Sequence, residues 1–263
     1  MDLVGRTALV TGATGGLGQA IAERLAGRGA RLIVTGRRAD VLEPLAARLG
    51  ALAIGVDLAD RDAVVRLAEE AGPIDVLVAN AALPGSGRVE GYDVDQIDRV
   101  LDVNLRAPMV LARLLGVPMA ERGSGHLVFV SSLSGKSATE GQSLYAATKF
   151  GLRGFATSLR ADLHGTGVGV STIFPGFIRD AGMFHDSGAT LPSFVGTRTP
   201  ADVADAVVRA IERDRAEIDV APLPLRAGAA LAGLAPELSA RMARRLGAGQ
   251  IARAIGAGQA DKR

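Results

Sequence analysis

The 263-residue sequence contains no cysteine and no tryptophan. Without thiols, disulfides, thiolate nucleophiles and Cys-based zinc sites are excluded. The three histidines, His126, His164 and His185, are far apart and lack metal-ligand spacing, so no metal is expected. Aromatic residues make up only 3%. That leaves too few rings to interleave with a basic patch, and no DNA-binding motif is present, so nucleic acid is not an expected partner. No apolar run reaches the length needed to span a bilayer. The opening "MDLVGRTALVTG" lacks the basic segment and long apolar core of a signal peptide, which makes the cytoplasm the expected location. Lysine and tyrosine are scarce too: three lysines stand against 27 arginines, and the only tyrosines are Tyr92 and Tyr145.

Glycine, by contrast, is abundant at 34 residues, and 48% of the chain is hydrophobic. That mixture favours tight turns and close helix–sheet packing. The net charge of +2 is unevenly spread. Residues 220–263 carry seven Arg/Lys and two Asp/Glu, so a basic tail follows a mildly acidic body. Short apolar runs, "TALVTG", "RLIVTG", "LAIGVD", "IDVLVAN", "GHLVFVSS", "GVSTIFPG" and "EIDVAP", alternate with segments of helical spacing at 17–28, 39–49, 60–71, 93–121, 144–164 and 200–213. The runs are apolar throughout and do not alternate, as parallel strands covered on both faces require. The expected fold is α/β: a doubly wound, seven-stranded parallel sheet with helices on both faces. Residues 1–221 read as one domain and residues 222–263 as a basic helical extension.

"TGATGGLG" at 11–18 lies between the first strand and the first helix. There Gly12, Gly16 and Gly18 would allow a tight turn, close approach of a pyrophosphate and close helix–sheet packing, with Thr14 and Leu17 in the same loop. The second strand ends in Gly36, Arg37 and Arg38, where an NAD site commonly carries a carboxylate for the ribose 2′-hydroxyl. A guanidinium suits a 2′-phosphate, so NADP(H) is favoured over NAD(H). The two arginines can equally form a solvated basic turn. Asp57, followed by Leu58, is placed to accept from an adenine amino group or to cap the next helix.

Tyr145 and Lys149 stand four residues apart, one helical turn on one face. A tyrosine alone is a poor acid or base at neutral pH. A neighbouring ammonium, together with a positive nicotinamide ring, would favour its phenolate and lower its pKa.

Together, "TGATGGLG", "ANAA" (79–82), "VNL" (103–105), "VSS" (130–132), "YAATK" (145–149) and "PG" (175–176) resemble the short-chain dehydrogenases/reductases, over about residues 4–221. The stretch "SSLSGKSATEGQSLYAATKFGLRGF" is also similar to hydroxysteroid- and retinol-handling members. The resemblance implies a Rossmann-type fold and hydride transfer between a nicotinamide cofactor and a ketone/alcohol pair. In that reading Tyr145 exchanges the proton, and Lys149 tunes it and holds the nicotinamide ribose. Ser132 holds the substrate oxygen, with Ser131 and Ser134 as competing serines. Asn104 would position a water linking Lys149 to solvent, and Asn80 would lie beside the cofactor, as would Pro175, Gly176 and Ile178. Family members often have Thr where this chain has Asp180. The carboxylate could accept from the nicotinamide carboxamide and would favour the oxidised ring, or it could face solvent.

Residues 177–199 occupy the position of a substrate lid. Phe177, Met183, Phe184, Leu191 and Phe194 would give an apolar wall for a moderately lipophilic ketone, with Met183 and Phe184 as the substrate contacts, or pack elsewhere. The extension after residue 221 reads as one or two amphipathic helices. It is expected to pack on the body or a partner subunit, with membrane-surface contact or disorder as alternatives. The final "QADKR" is expected to fray. Relatives commonly pair through the two long helices, so a homodimer or homotetramer is expected. The alternatives to an NADP(H) oxidoreductase are an NAD-dependent dehydrogenase and a non-catalytic nucleotide sensor.

Overall fold

The computed structural model of the protein describes residues 1–192, 195–245 and 248–259. Its centre is a sheet of seven strands: β1 (Thr7–Val10), β2 (Arg31–Gly36), β3 (Leu52–Gly55), β4 (Val76–Ala79), β5 (Gly125–Val130), β6 (Val168–Pro175) and β7 (Glu217–Val220). The spatial order is 3-2-1-4-5-6-7, and every neighbouring pair is parallel. The order reverses between β1 and β4, and the crevice beyond their carboxyl ends is where such sheets bind ligands.

The uninterrupted apolar runs have a simple cause. Leu9 and Val10 are both fully buried, yet they serve opposite faces of the sheet. Val10, with Val34 and Val128, meets Ile21, Leu25, Leu42, Leu45 and Val207. These come from α1 (Gly16–Ala26), α2 (Ala39–Leu49) and α8 (Pro200–Arg213). On the other face, Leu9 and Phe129 join Val64, Val100, Leu111 and Leu152. Those lie on α3 (Arg61–Ala71), α4 (Val94–Leu101), α5 (Ala107–Glu121) and α6 (Ser143–Asp162). Each such aliphatic or aromatic side chain contributes roughly 1.5–3 kcal/mol by leaving water. Local signals fix where helices begin. The Asp60 carboxylate accepts from the Asp62 and Ala63 amides, and Thr199 forms a reciprocal cap with Asp202 ahead of Pro200.

The segment 93–121 differs from the continuous helix its spacing predicts. Between α4 and α5 a π-helical turn spans Asp102–Arg106 and carries Asn104. The extra residue in that turn shifts the register of the side chains. Asn104, fully buried, uses both halves of its amide on one residue: Oδ1 accepts from the Leu83 N–H at 2.7 Å, and Nδ2 donates to the Leu83 carbonyl at 2.9 Å.

The extension forms three helices, not one or two: α9 (Leu223–Leu234), α10 (Pro236–Arg245) and α11 (Ala248–Ala257). The α9–α10 boundary falls at Ala235-Pro236, where proline starts a new helix. The α11 helix folds back onto the body. Ala252 and Ile255 are buried, and Arg253 pairs with Glu140 at 2.9 Å. Gln259 is buried with its Nε2 on the Met183 carbonyl at 2.8 Å, so the expected fraying does not begin there; residues 260–263 lie outside the described residues. Among the described residues, no helix is long and apolar enough to cross a membrane.

Candidate active site

A groove of about 560 Å³ opens beyond the carboxyl ends of β1 and β4. Its floor is the glycine loop. Gly12 has φ of 67°, and a Cβ there would stand 2.7 Å from the Ala81 backbone. A Cβ on Gly18 would stand 2.2 Å from the Gly12 carbonyl oxygen. Side chains are therefore excluded where the loop meets α1, which leaves the backbone bare for a phosphate. Thr14, Gly16 and Leu17 line the same loop. Asn80 also lines the groove, and its Nδ2 donates to the carbonyls of Thr11 and Gly12 at 3.0 and 3.3 Å, tying the loop after β4 to the glycine turn.

Both arginines after β2 line the groove. Arg38 donates to the Thr14 carbonyl, whereas the Arg37 guanidinium has no hydrogen-bond partner among the described residues. Asp57 and Leu58 line the groove beside them. The Asp57 carboxylate accepts from the Ala59 amide at 3.0 Å and from Arg99 at 2.8 Å. Partial burial acts to raise its pKa, but these donors and the nearby charge of Arg37 outweigh it and hold the carboxyl below its ordinary value. The α3 cap is Asp60, so capping is not the role of Asp57.

At the other end, Ser132, Tyr145, Lys149, Pro175, Gly176 and Ile178 converge on the groove. The serines separate by their partners. Ser131 Oγ donates to the Lys149 carbonyl, and Ser134 Oγ donates to Gln142. Ser132 Oγ accepts from the Ser134 amide at 3.1 Å, makes a long 3.5 Å contact to the Pro175 carbonyl and hydrogen-bonds the Tyr145 phenol, so of the three serines it is the one paired with the tyrosine.

The Tyr145–Lys149 pair sits on α6 as the spacing predicts, with the ammonium 5.6 Å from the ring centroid. Lys149 is almost wholly buried and donates to the Val130 carbonyl at 3.0 Å. The expected depression of the tyrosine pKa is not found in the free protein. Burial pushes the Tyr145 phenol up to about 12, opposed only by the hydrogen bond to Ser132. Burial likewise brings Lys149 down to about 8. Desolvation thus outweighs mutual tuning, because the ammonium stands off the ring and is held by a neutral carbonyl. Asn104 is close to this chemistry only indirectly. Its amide holds the Leu83 loop, which lines the groove, and no hydrogen bond joins it to Lys149 among the described residues.

Asp180 is not brought into the site. It has a positive φ of 72°, its side chain is 65% exposed, and it faces Arg179 at 3.5 Å. The left-handed backbone, which Asp tolerates, turns the carboxylate to solvent while Ala181 and Gly182 line the groove in its place.

A second cavity of about 420 Å³ adjoins the first. Phe177, Met183 and Phe184 lie on its wall, the two rings packed with centroids 5.1 Å apart. Leu191 is not on the wall, and Phe194 lies outside the described residues. The opposite wall comes from the extension, through Leu225, Ala229, Leu231, Met242 and Ile255. The sequence reading missed these residues and Gln259, since nothing in their local pattern separates a cavity wall from an ordinary helix face.

Comparison with known proteins agrees with this geometry. A family model described as short chain dehydrogenase matches residues 6–191. The chain is 38% identical over 232 residues to the ketoacyl reductase HetN of Nostoc sp., covering 85% of this chain and 81% of that protein. Among solved structures, a short-chain dehydrogenase from Sphingobium yanoikuyae in complex with NADPH superposes with a TM-score of 0.77 at 28% identity, covering 89% of this chain and 94% of the other. The bulky-bulky ketone specific alcohol dehydrogenase of Comamonas testosteroni gives 0.72 at 27% identity, covering 81% and 85%. The family match takes in the glycine loop, Ser132, Tyr145 and Lys149, and the chain belongs to the short-chain dehydrogenases/reductases as an NAD(P)-dependent oxidoreductase.

Proposed function

We propose that this protein interconverts a bulky, lipophilic ketone and its secondary alcohol using NADP(H). One observation carries the reading: Ser132 and Tyr145 belong to both cavities, the polar groove with its bare glycine loop and the apolar chamber beside it. A nicotinamide cofactor bound in the groove supplies or accepts the hydride. The protein's part is to hold and protonate the oxygen. Ser132 Oγ donates to the substrate oxygen, and Tyr145, protonated at neutral pH with its pKa near 12, transfers its phenolic proton to that oxygen. Lys149 holds its charge at the groove floor beside Tyr145 and stabilises the phenolate left behind. Gly12, Thr14, Gly16, Leu17 and Gly18 take the pyrophosphate, while Asp57, Leu58 and Asn80 flank the adenosine side and the groove floor.

The preference for NADP(H) rests on Arg37, whose guanidinium is uncommitted at the end of β2. The preference for a bulky ketone rests on the chamber, whose size and apolar wall favour ring-bearing substituents. With Asp180 turned to solvent, its charge gives no bias toward the oxidised ring. Met109 and Val117 on α5 and Phe150 on α6 are 37–42% exposed, which supports pairing of two chains through these helices as a homodimer or homotetramer.

Calorimetric titration with NADPH and NADH, followed by turnover of a diaryl ketone against acetone, tests the proposal. Tighter NADPH binding with turnover of the larger ketone is expected. Binding of neither nucleotide would overturn the enzyme reading, and NADH preference would overturn the role of Arg37.

A further inference from the structure

Among the described residues the groove and the chamber share six: Ser132, Tyr145, Gly176, Met183, Phe184 and Gln259. Five come from the body or its lid. The sixth arrives from the far end of the chain, just after α11. Gln259 is 1% exposed, and its two amide atoms are in different situations. Nε2 donates to the Met183 carbonyl at 2.8 Å. That contact fixes the orientation of the amide, because a carbonyl can only accept. Oε1 is left buried at the junction, with no hydrogen-bond partner among the described residues. A buried amide oxygen without a donor is costly, so a ligand that brings an N–H to this junction would be held by it.

We propose that Gln259 is a cofactor-binding residue whose Oε1 accepts a hydrogen bond from the carboxamide N–H of the nicotinamide. The inference rests on the function proposed above and deepens it. Two facts favour this ligand over a substrate donor. In that reading the substrate has one polar group at the junction, its oxygen, and Ser132 and Tyr145 already engage it. Asp180, the acceptor that the sequence offered for the carboxamide, points to solvent. The neighbouring wall residues from α11, Ile251, Ala252 and Ile255, are apolar, which leaves Gln259 as the hydrogen-bonding residue this segment delivers. The extension then does more than wall the chamber: through Gln259 it also reaches the groove.

The test uses the full-length protein and analogues in which a methyl ketone replaces the carboxamide, the 3-acetylpyridine forms of NADP+ and NAD+. Dissociation constants are measured by calorimetry for wild type and for Gln259→Met, which keeps the side chain's length and removes its amide. Wild type is expected to bind the carboxamide nucleotide about three- to tenfold more tightly than its analogue, and Gln259→Met to bind the two within twofold. An undiminished gap in Gln259→Met, shown folded by its melting curve, would overturn the assignment. So would equal binding of the two nucleotides by wild type, a measurement that needs no variant. Wild type binding none of the four nucleotides would overturn the proposed function itself, a result distinguishable from failure of Gln259 alone.

Discussion

The two cavities that meet at Tyr145 are built in opposite ways. The nucleotide groove is made of short, contiguous stretches at strand ends, fixed by backbone contacts: the Gly12–Gly18 turn, the Asn80 tie, the Arg37–Arg38 pair. The chamber is made of segments up to about 170 residues apart, from Ser86 to Gln259, its wall largely apolar side chains with several serines, a threonine and two glutamines among them. At its glycine turn the groove tolerates almost no added atom, because a Cβ on Gly12 or Gly18 would meet backbone. A chamber of the second kind tolerates changes of volume, because its walls are side chains on helices. In the proposed function this difference separates cofactor recognition, which is rigid, from substrate selection, which is adjustable.

The junction is where the distinction disappears, and there the largest effect is expected. Tyr145→Phe removes the proton donor and keeps the ring. Turnover is expected to fall about 10²–10⁴-fold, while NADPH affinity changes little by calorimetry. Loss of nucleotide binding as well would mean that the hydroxyl organises the groove and that the two cavities are not separable. In the groove itself, Gly18→Ala would press a methyl against the Gly12 carbonyl, and about a hundredfold loss of NADPH affinity is expected with the chamber intact. Arg37→Ser should weaken NADPH about tenfold or more, the worth of a charge-assisted hydrogen bond, and leave NADH unchanged. Equal weakening of both would assign Arg37 to the shared part of the nucleotide.

The contrast also explains what could be read from the sequence. The seven strands, their parallel order and the six helical segments of the body were legible because each rests on local periodicity and a glycine or cap beside it. That Arg37, Ser132, Tyr145 and Lys149 would line one groove was legible from the end of β2, the Tyr–Lys helix spacing and, for Ser132, the family resemblance, while their roles are those proposed above. The π-turn at Asn104 was not, because a single wide turn displaces the apolar pattern of 93–121 by only one residue, which a helical period read over 29 residues absorbs. The orientation of Asp180 depends on a left-handed backbone angle that composition does not announce. The upward push of burial on the Tyr145 pKa in the free protein was not legible, because helix spacing gives the distance to Lys149 but says nothing of how the phenol is enclosed. The position of Gln259 depends on the end of the chain folding back onto Met183, a long-range arrangement.

On the chamber side, Ile255→Ala is the counterpart of the groove variants. It removes apolar volume from a buried wall position. KM for a bulky ketone is expected to rise about tenfold, within the 1–3 kcal/mol that small changes in an apolar pocket command. NADPH affinity should stay within about twofold. A matching loss of nucleotide affinity would show that the extension supports the groove through more than Gln259.

The smallest effect concerns stability, and it asks whether the groove floor carries strain that the chamber does not. Folding lowers the Lys149 pKa from 10.5 to about 8. Between those values the unfolded chain binds more protons at this site than the folded one, so stability rises with pH, by at most about 1.4 kcal/mol per unit. Below about pH 8 the cost of the buried ammonium is fully present. Tyr145 acts in the other direction, its pKa raised from 10.0 to about 12, so above pH 10 the unfolded chain loses its phenolic proton first and stability falls. Melting temperature should therefore climb a few degrees from pH 8 toward pH 10. Lys149→Met should flatten that rise, because it keeps the aliphatic stem and removes the titrating group. A rise of equal slope in Lys149→Met would place the titration elsewhere and remove the evidence that burial of this lysine stores energy beneath the groove.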